Sequence, residues 1–299
     1  MKHSNLILCG VACFAFVCLF GTSCSKQPQG KTVITVEVPV PEAVDNAFDV
    51  IQARLNRFGI SDPTMQKLEN GLIQIDLQGV QDTARLKKLL TAHANLEFWE
   101  TYMSCELIPN LMDLDKKQPF LQLLDRISDN YSPVIGMALY TDTAQINEIL
   151  HSPDALKLLP ANARFAWEVK SVDEQDRFFQ LLALKANLDG VAALDGQYIT
   201  DARPEINGYY AEVMMKMDAV GAREWADITR RNLRKSIAIV LDGLVYSYPT
   251  VMSEITGGSS CITGRFTAEE ATDFANVLKS GKMPAPVRIV QIEVIEPAK

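Results

Sequence analysis

Asn70-Gly71-Leu72-Ile73-Gln74-Ile75-Asp76-Leu77-Gln78 is the stretch from which the fold can be read. Asn-Gly is a dipeptide that tolerates the positive φ angles of a tight hairpin turn. After it, Ile73, Ile75 and Leu77 alternate with Gln74, Asp76 and Gln78, the period of a strand with one buried face. Such half-buried strands belong to antiparallel sheets covered on one side. Working outward, Met65–Leu68 forms the other arm of the hairpin. Upstream of it, Pro41-Glu42 opens a helix in which Val44, Phe48, Ile51, Leu55 and Phe58 recur at helical spacing, closed by Gly59. Thr32–Val38 is β-branched and strand-like. Downstream, Asp82 can cap a short helix over Thr83–Ala92, and Leu96–Tyr102 is an aromatic strand. The order is β-α-β-β-α-β.

The C-terminal third reads similarly. Tyr209–Met217 alternates as a strand, Asp218 caps a helix over Ala219–Leu233, and Ser236–Leu241 is a buried strand. Asp242-Gly243 is a second tight turn, leading into Leu244–Tyr248. Ser260–Gly264 is a short strand. Thr267 caps a helix over Ala268–Lys279 that places Glu269 and Glu270 where the helix dipole favours acid, and Gly281 ends it. Val287–Glu296 is a long final strand. The split order in both halves predicts an α+β fold with a ferredoxin-like antiparallel sheet base.

Between the halves, Cys105–Gly196 differs. Leu107–Asp115, Gln118–Ile127, the stretch from Thr141 to His151, and the very apolar Phe178–Leu188 all read as helices, punctuated by prolines. The expectation is an inserted, mostly helical head. The predicted organisation is an anchor segment over 1–24, a base in two parts over 25–104 and 196–299, and the head over 105–195.

The chain has 299 residues, 47% hydrophobic and 22% charged, which suits folded domains and excludes disorder. With a net charge of −8, nucleic acid is not an expected partner. Mean hydropathy is +0.02, far below that of a multi-span membrane protein. The one continuous apolar run is Leu6–Gly21, between Lys2-His3 and Gly21-Thr22-Ser23-Cys24. A charged start, apolar middle and small-residue end make a secretory signal. Small residues before Cys24 resemble a bacterial lipobox, which would make Cys24 the lipidated mature N-terminus. An uncleaved single-pass anchor and a plain cleaved signal peptide are the alternatives. All three place the remainder in the cell envelope, outside the cytoplasm.

No motif for chemistry occurs: HExxH, GxSxG, CxxC and Walker sequences are missing, and His93 and His151 stand apart. Asp242 sits in turn chemistry rather than as a base. The run Ile255–Gly264 lacks a phosphate-loop lysine and reads as a connection needing positive φ. Cys105 and Cys261 could pair in an oxidising compartment or lie singly. No catalytic residue, cofactor or metal is expected, and an enzyme is not the reading.

Several stretches resemble the first periplasmic domain of SecD, a subunit of the bacterial protein-export machinery. In the C-terminal third these are Ala238-Ile-Val-Leu-Asp-Gly-Leu-Val-Tyr-Ser-Tyr-Pro249, Ile255-Thr-Gly-Gly258, Ile262-Thr-Gly-Arg-Phe-Thr267, Glu269-Glu-Ala271 and Leu278-Lys-Ser-Gly-Lys-Met-Pro-Ala-Pro286. Val50–Pro63, Ile73–Gly79 and Tyr198–Ala202 agree as well. The likeness covers about 31–105 and 195–297, and the middle matches in position only. The glycine-rich Asp-Leu-Lys-Gly-Gly-type motif that precedes the family's first strand has no counterpart, since Gly30-Lys31 runs straight into Thr32.

The resemblance implies a membrane-tethered accessory of Sec-dependent protein export. Its partners would be unfolded secretory polypeptide, Sec translocase membrane subunits and, through the N-terminal anchor, the membrane. The family's transmembrane helices do not follow the Pro-Ala-Pro strand before Lys299, so the expectation is a protein that binds or guides without a proton-driven motor. By the same resemblance Phe165, Trp167, Phe178 and Phe179 would contact extended polypeptide; filling the head's own core is the plainer role for them. The alternative function is a stand-alone envelope lipoprotein that uses the fold as a structural or assembly module.

Overall fold

The computed structural model describes residues 30–60, 63–79, 82–125, 131–208 and 210–296. Cys24 and the segment before it lie outside them. In chain order, the first elements are β1 (Lys31–Glu37), α1 (Val44–Arg57), β2 (Thr64–Lys67), β3 (Leu72–Gln78), α2 (Thr83–Thr91) and β4 (Leu96–Thr101). Then come α3 (Ser104–Asp115), β5 (Leu124–Asp125), β6 (Val134–Leu139), α4 (Thr143–Leu150), α5 (Pro153–Leu158), β7 (Ala163–Trp167), β8 (Phe178–Lys185) and β9 (Leu194–Asp195). The last group is β10 (Ile199–Asn207), β11 (Tyr210–Met217), α6 (Ala219–Arg231), β12 (Ile237–Leu241), β13 (Leu244–Ser247), β14 (Ser259–Ile262), α7 (Ala268–Ser280) and β15 (Arg288–Ile295).

The hairpin read first in the sequence is present. Asn70 and Gly71 have φ of 59° and 74°, and the Leu72 N–H returns to the Glu69 carbonyl. The Leu68 N–H reaches the Leu72 carbonyl at 2.7 Å, so Leu68 and Glu69 together oppose Leu72 as a bulge. On β3, Ile73, Ile75 and Leu77 are fully buried, with Ile34 and Val36 of β1 and Ile51 and Leu55 of α1, in one core.

This first sheet has the order β15-β1-β3-β2, antiparallel throughout. It is the ferredoxin-like arrangement, but its fourth strand is β15, at the far end of the chain. The expected partner, β4, instead pairs with β12 from Ile237↔Glu100 to Leu241↔Leu96. Periodicity shows which face of a strand is buried; it carries no information about which strand lies alongside. The C-terminal half is corrected likewise. Its strands follow in the expected order but are shared among three sheets, β11 and β14 in one with β10, β12 and β13 in another, and β15 in the first.

The intervening segment is mixed rather than mostly helical. Leu107–Asp115 and the stretch leading to His151 are helical as expected, within α3 and α4. Phe178–Leu188 is not: Phe178–Lys185 is strand β8. Its run is apolar because both faces are covered, Leu181 and Ala183 by one core and Leu182 and Leu184 by another, and a two-sided strand cannot be told from a buried helix by periodicity. Over its described residues, 118–125, the helix predicted for Gln118–Ile127 is instead a single 3-10 turn over Leu121–Leu123 and then β5; Arg126 and Ile127 lie outside the described residues.

Strands β13, β12, β4, β8 and β7 follow one another in the largest sheet. Beyond β7, Glu168 bridges back to Val245 of β13, and the Val169 N–H donates to the Val245 carbonyl at 2.9 Å. The five strands therefore close into a ring, filled by Ala166, Leu182, Leu184, Ala238, Val240 and Val245. Outside the ring, Phe98 of β4 packs on Trp225 of α6 with ring centroids 4.9 Å apart, in the core shared with β11, β14 and α7.

Candidate functional site

The ring's closing seam forms one wall of a cleft of about 590 Å³. Its other walls are α2, the β12–β13 turn, and the start of α7. Each wall has a local reason for its position. The Asp82 carboxylate accepts from the Ala84 and Arg85 N–H groups at 3.0 Å, starting α2 there. The Thr267 hydroxyl accepts from the Glu270 N–H while the Glu270 carboxylate accepts from the Thr267 N–H, a capping box that starts α7. Asp242, with φ of 51° in the turn, accepts at 2.9 Å from the His93 and Asn95 N–H groups. Its carboxylate is thus a clamp on the α2–β4 connection, in keeping with turn chemistry.

Beneath the cleft lies a group that the sequence reading left unremarked. Arg54 of α1 is fully buried. Its guanidinium donates to the Leu89 carbonyl at 2.9 Å and the Ala92 carbonyl at 2.5 Å. It also donates to Ser280 Oγ at 3.1 Å and the Gly281 carbonyl at 3.4 Å. One side chain thereby caps the ends of both α2 and α7, where unsatisfied carbonyls concentrate negative charge. Burial brings its pKa down to about 10, opposed by the field of Asp242, so it stays charged at neutral pH. The available signal was an arginine on the apolar stripe, three residues after Ile51.

Ion pairs cross the cleft. Arg85 holds Asp273 through two bonds of 2.7 and 2.8 Å, contacts Glu269, and lies over the Phe58 ring at 4.2 Å. The Asp273 hydrogen bond leads the effects that raise the Arg85 pKa. Lys170 reaches Glu270 at 2.5 Å and also the Arg265 carbonyl. Burial disfavours the Glu270 carboxylate, but the Lys170 and Thr267 hydrogen bonds more than compensate and hold its pKa low. Arg265 donates to the Ser171 carbonyl at 2.7 Å, the Lys170 carbonyl at 3.1 Å and Glu168 Oε1 at 2.9 Å.

The four aromatics proposed to touch polypeptide do not form one surface. Phe165 and Trp167 are half-buried against the core under α3–α5, with Trp167 Nε1 donating to Asn147 at 2.9 Å. Phe178 and Phe179 are half-buried neighbours on β8, whose side chains alternate between faces. Phe178 stands opposite Leu139 and receives the Val172 N–H on its carbonyl. Leu139, Tyr140 and Val172 there are exposed. Cys105 and Cys261 are both free thiols. Cys261 donates to Glu212 at 3.0 Å, and burial, with that acceptor, pushes it up to about 12. Gly258, with φ of 64°, lies where a Cβ would come within 2.6 Å of Ala222 Cβ, which accounts for glycine in that connection. No described helix is long and apolar enough to cross a membrane.

Comparison with known proteins gives consistent matches. A family model described as the SecDF P1 head subdomain matches residues 175–285, and one described as the N-terminal part of the P1 domain of protein translocase subunit SecDF matches 44–102. The head match overlaps the 105–195 segment over 175–195 and continues to 285. The protein translocase subunit SecD of Rhodothermus marinus is 33% identical, the alignment covering 86% of this chain and 47% of that protein. The SecD of Desulfurispirillum indicum is 32% identical, over 91% of this chain and 45% of its own length. The chain thus spans about half the length of the curated relatives it matches. A structure described as a membrane component SecDF that enhances protein export superimposes with a TM-score of 0.52 at 25% identity, covering 88% of this chain and all of that one. SecDF in a super-membrane-facing form shares the fold, with a TM-score of 0.54 at 24% identity, covering 91% of this chain and 32% of that one.

Proposed function

The chain belongs to the SecD family of protein translocase subunits, and from that premise we propose that it serves Sec-dependent protein export at the extracytoplasmic face of the cell envelope. In this role it binds translocating polypeptide, the membrane subunits of the translocase, or both. The observation that carries the reading is the match to the P1 domain at both ends of the fold, including α1 and β3 on one side and β12, β13 and α7 on the other. Tethering through the segment that ends at Cys24 is part of the same proposal.

For polypeptide contact, the end of β6 and the start of β8 is the favoured surface. There Phe178 stands opposite exposed Leu139, with exposed Tyr140 and Val172 joined to the same strand end by backbone hydrogen bonds, and exposed apolar side chains are what an unfolded chain can cover. Phe165 and Trp167 serve packing in this reading. A photo-crosslinking residue in place of Tyr140 in the full chain, in cells exporting a secretory reporter, tests it. Crosslinks to the reporter or to translocase subunits are expected. Recovery of neither would refute the export role. Mass measurement of the detergent-extracted protein tests acylation of Cys24.

A further inference from the structure

Among the described residues, one buried carboxylate oxygen in the cleft lacks a hydrogen-bond partner. Glu168 is 8% exposed. Arg265 takes its Oε1, and Oε2 accepts no hydrogen bond among the described residues. A carboxylate oxygen kept from water without a donor is costly. Burial accordingly pushes the Glu168 pKa up, against the pull of Arg265 and Lys170.

The surroundings define what would satisfy it. Six carboxylates line the cleft, Asp82, Glu168, Asp242, Glu269, Glu270 and Asp273, against the four cations Arg85, Lys88, Lys170 and Arg265. The lining is therefore net negative. Leu89, Tyr246, Phe266, Phe274 and Val277 add apolar surface beside them. A ligand that fits both has an aliphatic stem and a cationic head, the build of a lysine or arginine side chain. Among the described residues no three His, Cys, Asp or Glu side chains are grouped to hold a metal ion, so the chemistry favours an organic cation.

We propose that the cleft is a binding site for a lysine or arginine side chain of an extended polypeptide, with its stem against Phe266 and Phe274 and its cationic head donating to Glu168 Oε2. The terminal torsion of a glutamate is soft, so a small turn of the carboxylate can bring Oε2 toward the arriving donor, with the flexible Arg265 side chain following Oε1. This deepens the polypeptide-binding reading above and rests on it: it names a class of side chain and a second point of contact, at the closing seam of the ring rather than beside Phe178.

The test uses the full chain in detergent and two short unstructured peptides, identical except for a central lysine or norleucine, titrated by calorimetry. The lysine peptide is expected to bind about tenfold tighter, close to 1.4 kcal/mol. In Glu168→Gln, nearly isosteric and uncharged, that preference is expected to vanish. Phe266→Ala, which keeps the carboxylate, is expected to weaken both peptides. Equal binding of the two peptides to the wild-type chain, or a lysine preference that survives Glu168→Gln, would overturn the cleft site and leave polypeptide binding standing. Binding of neither peptide would overturn both.

Discussion

Replacing Arg54 by methionine tests whether one buried guanidinium joins the two ends of the chain. Methionine fills much the same space without donors. The variant loses four hydrogen bonds from a charged group, two of them short, at 2.5 and 2.9 Å, and two longer, at 3.1 and 3.4 Å. Bonds to charged groups contribute about 1.5–3 kcal/mol when well formed and less when long, so roughly 6 kcal/mol of interaction is removed. Against this, the variant no longer buries a charge. A pKa brought down to about 10 by burial, against the field of Asp242, corresponds to a net penalty on the charge of about 3 kcal/mol that the variant recovers, at about 1.36 kcal/mol per pH unit. The net expectation is a loss of about 3 kcal/mol, or roughly 6–12 °C in Tm for a protein of this size. Arg54→Lys keeps the charge, but its ammonium cannot serve α2 and α7 together, so about half that loss is expected. Urea denaturation followed by far-UV circular dichroism measures both. If Arg54→Met fell within about 0.5 kcal/mol of the wild type, a range ordinary for surface substitutions, the four bonds would not be the joint described here.

Three further outcomes are expected. Gly258→Ala forces a side chain into positive φ and against Ala222 Cβ at 2.6 Å, so a loss of about 2 kcal/mol or more is expected in the same denaturation assay. At pH 8, iodoacetamide is expected to label exposed Cys105 at least about tenfold faster than Cys261, whose thiol is pushed up to about 12; equal rates by peptide mapping would contradict the Glu212 contact. Asp173 accepts from the Phe178 and Arg177 N–H groups, which with the Arg177 side chain bring its carboxyl down to about 2. A depressed carboxyl stabilises the fold above the unfolded pKa near 4 and loses that contribution as pH falls through about 2, so its NMR titration midpoint is expected near 2, and one near 4 would show the turn to be open.

Most local structure was legible in the chain. The alternation in Leu72–Gln78, the positive φ at Asn70-Gly71 and Asp242-Gly243, and the caps at Asp82, Asp218 and Thr267 all depend on residues within a few positions of each other, and each is present. The cleft was much less legible. Asp82, Asp242 and Thr267 were recognised as caps or turns, but their walls are brought together by long-range contacts, among them the Arg54 guanidinium, which meets Ser280 226 positions further along the chain, and the Arg85–Asp273 pair.

What the sequence determined by itself was the inventory outside the intervening segment: most strands, helices, caps and turns of the two flanking parts, which faces are apolar, and the family these motifs resemble. Partner choice was decided by the tertiary structure. That β15 rather than β4 completes the first sheet, that the apolar run Phe178–Lys185 is a strand inside a closed ring, and that Glu168 meets Val245 across a seam are all matters of pairing between distant segments. Periodicity and capping express interactions a few residues long, whereas the backbone hydrogen bonds that join strands are nearly the same for any pair. The choice among them is made by burying every apolar face at once.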